Sequence, residues 1–201
     1  VSGELSHPLK SLGPIEVHPL ALERMNDYLH FFDREAFSDN PRWAGCYCFF
    51  PYHDPAKTHW PERSGEENRA AICASIHGGT AMGYLAYVDG AVVGWCNAAP
   101  RRLFPMLQDE PAPDDARTGT IFCFIVAPAF RRRGVATALL NAACDGLAAQ
   151  GLRTVEARPV RKAATAAANH LGPLAMYLAA GFSIVREDDD GNVHVRKRLE
   201  S

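Results

Sequence analysis

The chain has no apolar run approaching the roughly 20 residues that a membrane-crossing helix needs. Its longest, around Ile121 to Val126, has the length of a buried strand. Positive charge is not in excess either: 21 Lys and Arg against 23 Asp and Glu leave a formal net charge of −2. No overall field therefore exists to collect nucleic acid or anionic lipid, and neither is an expected partner. The six cysteines lack a small-scaffold disulfide spacing. Cys73, Cys123 and Cys144 fall in apolar or helical stretches, where a thiol acts as a small hydrophobe, so reduced thiols are expected. The opening VSGELSHPLKS has no apolar signal-peptide core, which makes a cytoplasmic location the expectation. Repeats and low-complexity linkers are also missing. A single domain over 1–201, with 1–14 as a flexible N-terminal segment, is the economical organisation.

What is present is globular: 201 residues, 47% hydrophobic and 22% charged. IEVHPL (15–20) reads as a strand. Leu22, Met25, Leu29, Phe32 and Phe37 recur at helical spacing and predict a helix over 22–37. The aromatic-rich 38–55 reads as an ordered loop with some extended structure. A second helix is expected from about Glu62 to His77, stopped by Gly78-Gly79. Residues 82–100 form two strands turning at Asp89-Gly90. Residues 101–118 are a loop long enough to suggest a role near a site. GTIFCFIVAP (119–128) is apolar at almost every position, hence a central strand buried on both faces. A helix follows from Gly134 to about Gln150, with Val135, Leu139, Ala142 and Leu147 as its buried stripe. Then come a strand over 153–160, a connection of undefined form over 161–173, a short helix over 174–180 and a hairpin turning at Asp190-Gly191. Helices interleaved with a mixed sheet place the chain in the α/β class.

AFRRRGVATALL (129–140) sets three arginines before a glycine and a helix. The first N–H groups of a helix have no internal partner and sit at the positive end of its dipole, which makes an anion site. Gly134 allows close approach of a ligand, and Ala136 keeps the next turn small. Converging donors suit a diphosphate better than a nucleic-acid backbone. A solvated basic loop is the plainer alternative.

The pattern Pro128-x-Phe130-Arg131-x-x-Gly134-x-Ala136 resembles the acetyl-CoA pyrophosphate loop of the GNAT superfamily of N-acetyltransferases. Tyr177-Leu178-Ala179-Ala180-Gly181-Phe182 is similar to that superfamily's Tyr-x-x-x-Gly-Phe segment, in the same order and setting. Trp-x-x-Cys-x-Cys (43–48) and Gly-Trp-Cys-Asn (94–97) further resemble a bacterial branch of it. The resemblance implies a central, mostly antiparallel sheet with flanking helices. It also implies an acetyl-CoA-dependent N-acetyltransferase acting on a small-molecule amine or a peptide amino group, and leaves a homodimer open. Pantetheine would lie along Phe124, Ile125 and Val126, and the pyrophosphate on Arg131, Arg132, Arg133, Gly134, Val135, Ala136 and Thr137. Tyr177 would donate a proton to the departing thiolate. Asn169 would contact CoA, one residue further from Tyr177 than the commonest spacing.

Direct attack by an amine needs a base. The central strand carries no carboxylate, so Glu156 on the next strand is the first candidate; pairing with Arg158 or Arg101 is its structural alternative. His53, His170 and Glu67 are further candidates. Backbone N–H groups at the end of the central strand would polarise the thioester. Acylation of Cys46, Cys48 or Cys96 is the competing mechanism. A non-catalytic acyl-CoA sensor is the competing function. Cys46 and Cys48 with His53 and His59 invite a zinc reading, but the spacing is not that of structural zinc sites, and no metal is expected. The better expectation is an acceptor wall including Tyr47, Cys48 and His53. Trp95 and Asn97, on one face of their strand, would join it, with core packing of Trp95 as the alternative.

Overall fold

The computed structural model describes residues 12–110, 115–162, 165, 167–188 and 192–200. Seven strands form one sheet: β1 (Glu16–Pro19), β2 (Tyr84–Val88), β3 (Ala91–Pro100), β4 (Thr118–Val126), β5 (Thr154–Ala157), β6 (Ser183–Glu187) and β7 (Val193–Arg198). Their spatial order is β1-β2-β3-β4-β5-β7-β6. Every neighbouring pair is antiparallel except β4 and β5. The helices are α1 (Met25–Arg34), α2 (Gly65–His77), α3 (Val135–Ala149) and α4 (Leu174–Ala179). Among the described residues no helix is long and apolar enough to cross a membrane.

Local chemistry explains most of these boundaries. The β2–β3 turn puts Asp89 at φ 50° and Gly90 at φ 78°, the left-handed pair that a two-residue hairpin demands. α2 starts at Gly65, later than periodicity suggests, because Ser64 and Glu67 close a reciprocal capping box: Glu67 N–H donates to Ser64 Oγ and Ser64 N–H to Glu67. Glu67 is therefore a capping residue and leaves the list of bases. The 38–55 segment forms short 3-10 turns over Pro41–Cys46 and Phe50–Tyr52, without the expected extended structure. Tyr47 and Cys48, both at φ 45°, turn the chain between them. The α3 stripe is Val135, Leu139, Leu140, Ala143, Cys144 and Leu147; Ala142 lies at its margin. The turn expected at Asp190-Gly191 lies outside the described residues, as do residues 1–11. Leu12 packs on the core.

Alternation along β3 splits its side chains between two cores. Cys96 and Ala98 face α3 and α4, while Trp95 faces α1, where it meets Tyr28 and Phe32 edge to face. Gly94 lies beneath the first turns of α3. A Cβ there would come within 2.8 Å of Val135 Cγ1 and 3.2 Å of Leu139 Cδ1. The Gly-Trp-Cys-Asn motif thus seats α3 on the sheet, and with it the turn that precedes α3.

β4 pairs with β5 only from Thr118 to Ile121. It then runs on to Val126 while β5 stops at Ala157, so the sheet opens into a gap. Gly94→Ala is expected to cost about 1–3 kcal/mol by overpacking, read as a lower midpoint in urea unfolding. An unchanged midpoint would show that α3 retreats from the sheet freely.

Candidate active site

After β4 the chain passes through a 3-10 turn, Pro128–Phe130, into Arg131–Gly134 and α3. Arg131 is extended, while Arg132 at φ 61° and Gly134 at φ 86° are left-handed, so the chain turns sharply on its way into α3. The first helical bond runs from Ala138 N–H to Gly134 C=O at 2.9 Å. N–H groups from Arg132 to Thr137 meet no acceptor among the described residues, and no side chain caps the helix. They open onto a cavity of about 560 Å³. Unpaired amides at the start of a 15-residue helix can hold a phosphate oxygen.

The three arginines do not act together. Arg131 turns inward: its Nε donates to Val126 C=O at 3.0 Å, and its fork grips Asp39, one bond being 2.9 Å. The guanidinium beside Asp39 holds that carboxyl below the usual carboxylate range. Arg132 is exposed, lines the cavity and has no partner among the described residues. Arg133 is off the cavity wall. Of the residues expected to hold CoA, Phe124, Ile125, Val126, Arg131, Arg132, Gly134, Val135, Ala136, Thr137 and Asn169 all line this cavity. One correction concerns β4. Phe124 N–H is already committed, donating to His170 C=O at 2.6 Å. Val126 is opposite Gly94 while Ala127 N–H donates to Val93 C=O at 3.0 Å, so the Val126 N–H points away from β3 into the gap.

A larger cavity, about 1090 Å³, abuts the first across a wall formed by Phe37, Trp43, Ile125 and His170. The Trp43 and His170 rings meet edge to face at 5.0 Å. Phe50, Trp60 and Phe122 give this cavity an apolar side, with Trp60 and Phe122 each packed against Phe50. Its opposite side is ionic. Glu156 accepts from Arg101 at 2.7 Å on one oxygen and from Arg196 at 3.3 Å on the other. The pairing alternative for Glu156 is what the fold displays, with Arg196 where Arg158 was expected; Arg158 pairs with Glu110.

Several expected wall residues are supports instead. Trp95 is core. Asn97 is fully buried and ties β3 to the 46–52 turns, donating to Cys48 C=O at 3.3 Å and accepting from Tyr52 at 3.2 Å. Tyr47 donates to Asp33 at 2.7 Å, and its own carbonyl accepts from Tyr28 at 2.5 Å. His53 is buried against Trp60, its Nε2 2.7 Å from Thr58 C=O. All four lie off the cavity: Trp95 and Asn97 are covered on β3, His53 is buried behind Trp60 and Tyr47 turns toward Asp33; Cys48 alone of that set lines it, beside Cys46 and Cys123.

Burial pushes the Cys46 thiol up to about 12. A bond to Cys48, then burial, raises Cys123 well above the usual thiol range. The groups that contact Cys48 are a thiol, an amide and an indole, none of which takes a proton at neutral pH. Cys96 is fully buried on the α3 side. Among the described residues no group of three His, Cys, Asp or Glu is arranged to hold a metal.

Tyr177 is fully buried behind Gly172, packed on Phe124 and Phe182, and opens to neither cavity. Its hydroxyl donates to Leu171 C=O at 3.0 Å. Burial raises the phenol well above its usual range, so it stays protonated. Sequence reasoning missed the ring of arginines (Arg63, Arg158, Arg186, Arg196) and the Trp43–His170 partition. Segments distant in the chain contribute them, from the turns around Trp43 and Arg63 to β6 and β7, and no spacing rule joins them.

No curated protein matches the sequence. The model of the Acetyltransferase (GNAT) family matches residues 48–182. Solved structures share the fold. The GNAT domain of S. lividans PAT superposes with a TM-score of 0.58 at 19% identity, covering 93% of this chain and 92% of that one. PaiA N-acetyltransferase from Thermoplasma acidophilum, in complex with coenzyme A, gives 0.54 at 16% identity, covering 92% and 99%. YncA from Salmonella typhimurium, a putative acetyltransferase with its cofactor acetyl-CoA, gives 0.52 at 13% identity, covering 93% and 95%. Unpaired amides at the start of α3, the gap beside β4 and the match over 48–182 lead to one conclusion: the chain belongs to the GNAT acetyltransferase family.

Proposed function

We propose that the protein transfers the acetyl group of acetyl-CoA to a primary amine by direct attack. The observation that carries this is the pair of cavities sharing one wall. The smaller presents unpaired amides to a diphosphate, and the larger has the volume of a small-molecule pocket. The coenzyme A and acetyl-CoA held by PaiA and YncA support the donor.

Amides from Arg132 to Thr137 hold the pyrophosphate, with Arg132 adding charge and Arg131 bracing the turn through Asp39. Val126 N–H points into the gap, where it stabilises the oxygen that becomes negative as the amine adds. Six arginines and two glutamates line the larger cavity, a balance that favours the neutral, nucleophilic form of an entering amine. His170, on the partition, takes the amine proton; Glu156, both oxygens engaged, holds Arg101 and Arg196 in place. Tyr177 supplies the proton for the departing sulfur, which it reaches once the Leu171-Gly172 segment releases its hydroxyl. A second reading, an acyl-CoA sensor without turnover, draws on the fact that Glu110 and Glu156 both already pair with arginines. Thiol release with a panel of amines separates the two.

Acetyl-CoA is expected to bind in isothermal titration, and Gly134→Ala to weaken it about tenfold, since a Cβ in the left-handed region costs roughly 1–2 kcal/mol. Absence of binding at high micromolar concentration would defeat the reading. His170→Gln is expected to lower kcat on the order of a hundredfold and to remove the acidic limb of the kcat/KM profile. An unchanged limb assigns the base elsewhere. Tyr177→Phe is expected to lower kcat about tenfold with CoA affinity intact. A lower Tm with unchanged kcat would leave Tyr177 a packing role only.

A further inference from the structure

The larger cavity is charged in a way that its neighbours do not neutralise. Three strands bring basic groups to one side of it. Glu156 on β5 is in register with Arg196 on β7, and Arg186 on β6 with His194 on β7; Arg158 follows the end of β5. Arg158 has Glu110, and Arg196 shares Glu156 with Arg101. Arg186 donates not to a carboxylate but to the ring of His194, at 2.8 Å. Across the cavity Arg63 is held by neutral partners, with Nε 2.7 Å from the Asn68 amide oxygen and its guanidinium 5.0 Å from the centre of the Phe49 ring. Arg42, exposed on the same side, has no partner among the described residues. Off the wall, Asp188 is an opposing charge felt by His194 and Arg158, and it also accepts from Asn192.

The local field shows in its neighbours. Burial, then Arg158 and Arg186, holds the His194 imidazole below its usual value. Burial, then Arg101 and Arg186, pushes the Arg158 guanidinium down. The chain as a whole carries −2, so this positive potential belongs to the cavity and is focused by its low-dielectric aromatic side.

Building on the acetyl-transfer reading, we propose that the acceptor is an amine whose far end carries an anionic oxygen group, carboxylate or phosphate, received by Arg158, Arg186 and Arg196. Guanidinium forks suit both groups, because each offers two oxygens to paired N–H donors. The apolar side, Phe50, Trp60 and Phe122, takes the body that joins the two ends. The arginines then select the acceptor and, through the same field, keep its amine neutral.

The test is kcat/KM for matched triplets of acceptors, each a primary amine ending in a carboxylate, a phosphonate or an uncharged amide, on short, long and aromatic bodies. On the best-accepted body an anionic member is expected to exceed the amide at least tenfold, and the favoured anion identifies the group. Arg186→Gln, on an exposed edge strand, is expected to reduce that ratio about tenfold. Arg161→Gln, whose partner Glu187 is outside the cavity, is expected to leave the ratio alone. Amides accepted as well as acids on every body, or a ratio indifferent to Arg186→Gln, would overturn the proposal while leaving acetyl transfer standing. If no member of any triplet is acetylated, the acetyl-transfer reading falls and this proposal falls with it.

Discussion

The architecture turns on a parting of two strands. β4 and β5 lie parallel for the four residues from Thr118 to Ile121, and β4 then continues alone. A strand that loses its neighbour must satisfy its polar groups another way. Here Phe124 bonds to His170 and Val126 C=O to Arg131, while Val126 N–H is turned into the opening. The gap lies at the centre of the sheet, between a layer of helix and a layer of aromatic turns. Fixed backbone donors act more strongly on a charge in such low-dielectric surroundings than in water.

Two kinds of positive charge serve the site, and they differ physically. At the start of α3 the charge is that of backbone amides and the helix dipole, fixed in direction and close to the chain. Around the larger cavity it is guanidinium, mobile at its tip and held by a network that includes Glu110 and Glu156. The first suits a ligand recognised through main-chain donors, whatever the side chains around it. The second suits discrimination, because the arginines come from separate segments of the chain, none of them in the turn before α3.

The signature residues are mostly scaffold. Gly94 lets α3 approach, Trp95 fills the space under α1, and Asn97 ties the 46–52 turns to β3. Tyr28 and Tyr52 serve the same segment through their hydroxyls, to Tyr47 C=O and Met82 C=O. A chain segment without helix or strand holds its shape only with such bonds, and this one forms the wall of the larger cavity. The motif Trp-x-x-Cys-x-Cys belongs to both roles: Trp43 meets His170 at the partition, and the two thiols line the cavity.

Strand and helix order, the Asp89-Gly90 turn, the burial of β4 and the open amides at the start of α3 were legible in sequence, because each depends on residues adjacent in the chain. Hairpin chemistry, amphipathic period and helix termini are local physics. The side chains around the larger cavity were not legible in the same way. Alternation along β3 put Trp95 and Asn97 on a common face, yet whether that face met a cavity or a helix depended on how 38–62 folded over it. The sequence put Arg131 beside the turn without showing that Asp39 holds its side chain, and it left Glu156 between base and ion-pair partner until Arg101 and Arg196 met its oxygens. The order of elements and the turn with open amides before α3 were therefore determined by the sequence itself. Which charges meet, and what they leave unneutralised, was decided only by tertiary structure, since Coulomb and hydrogen-bond energies depend on distance in space rather than separation along the chain.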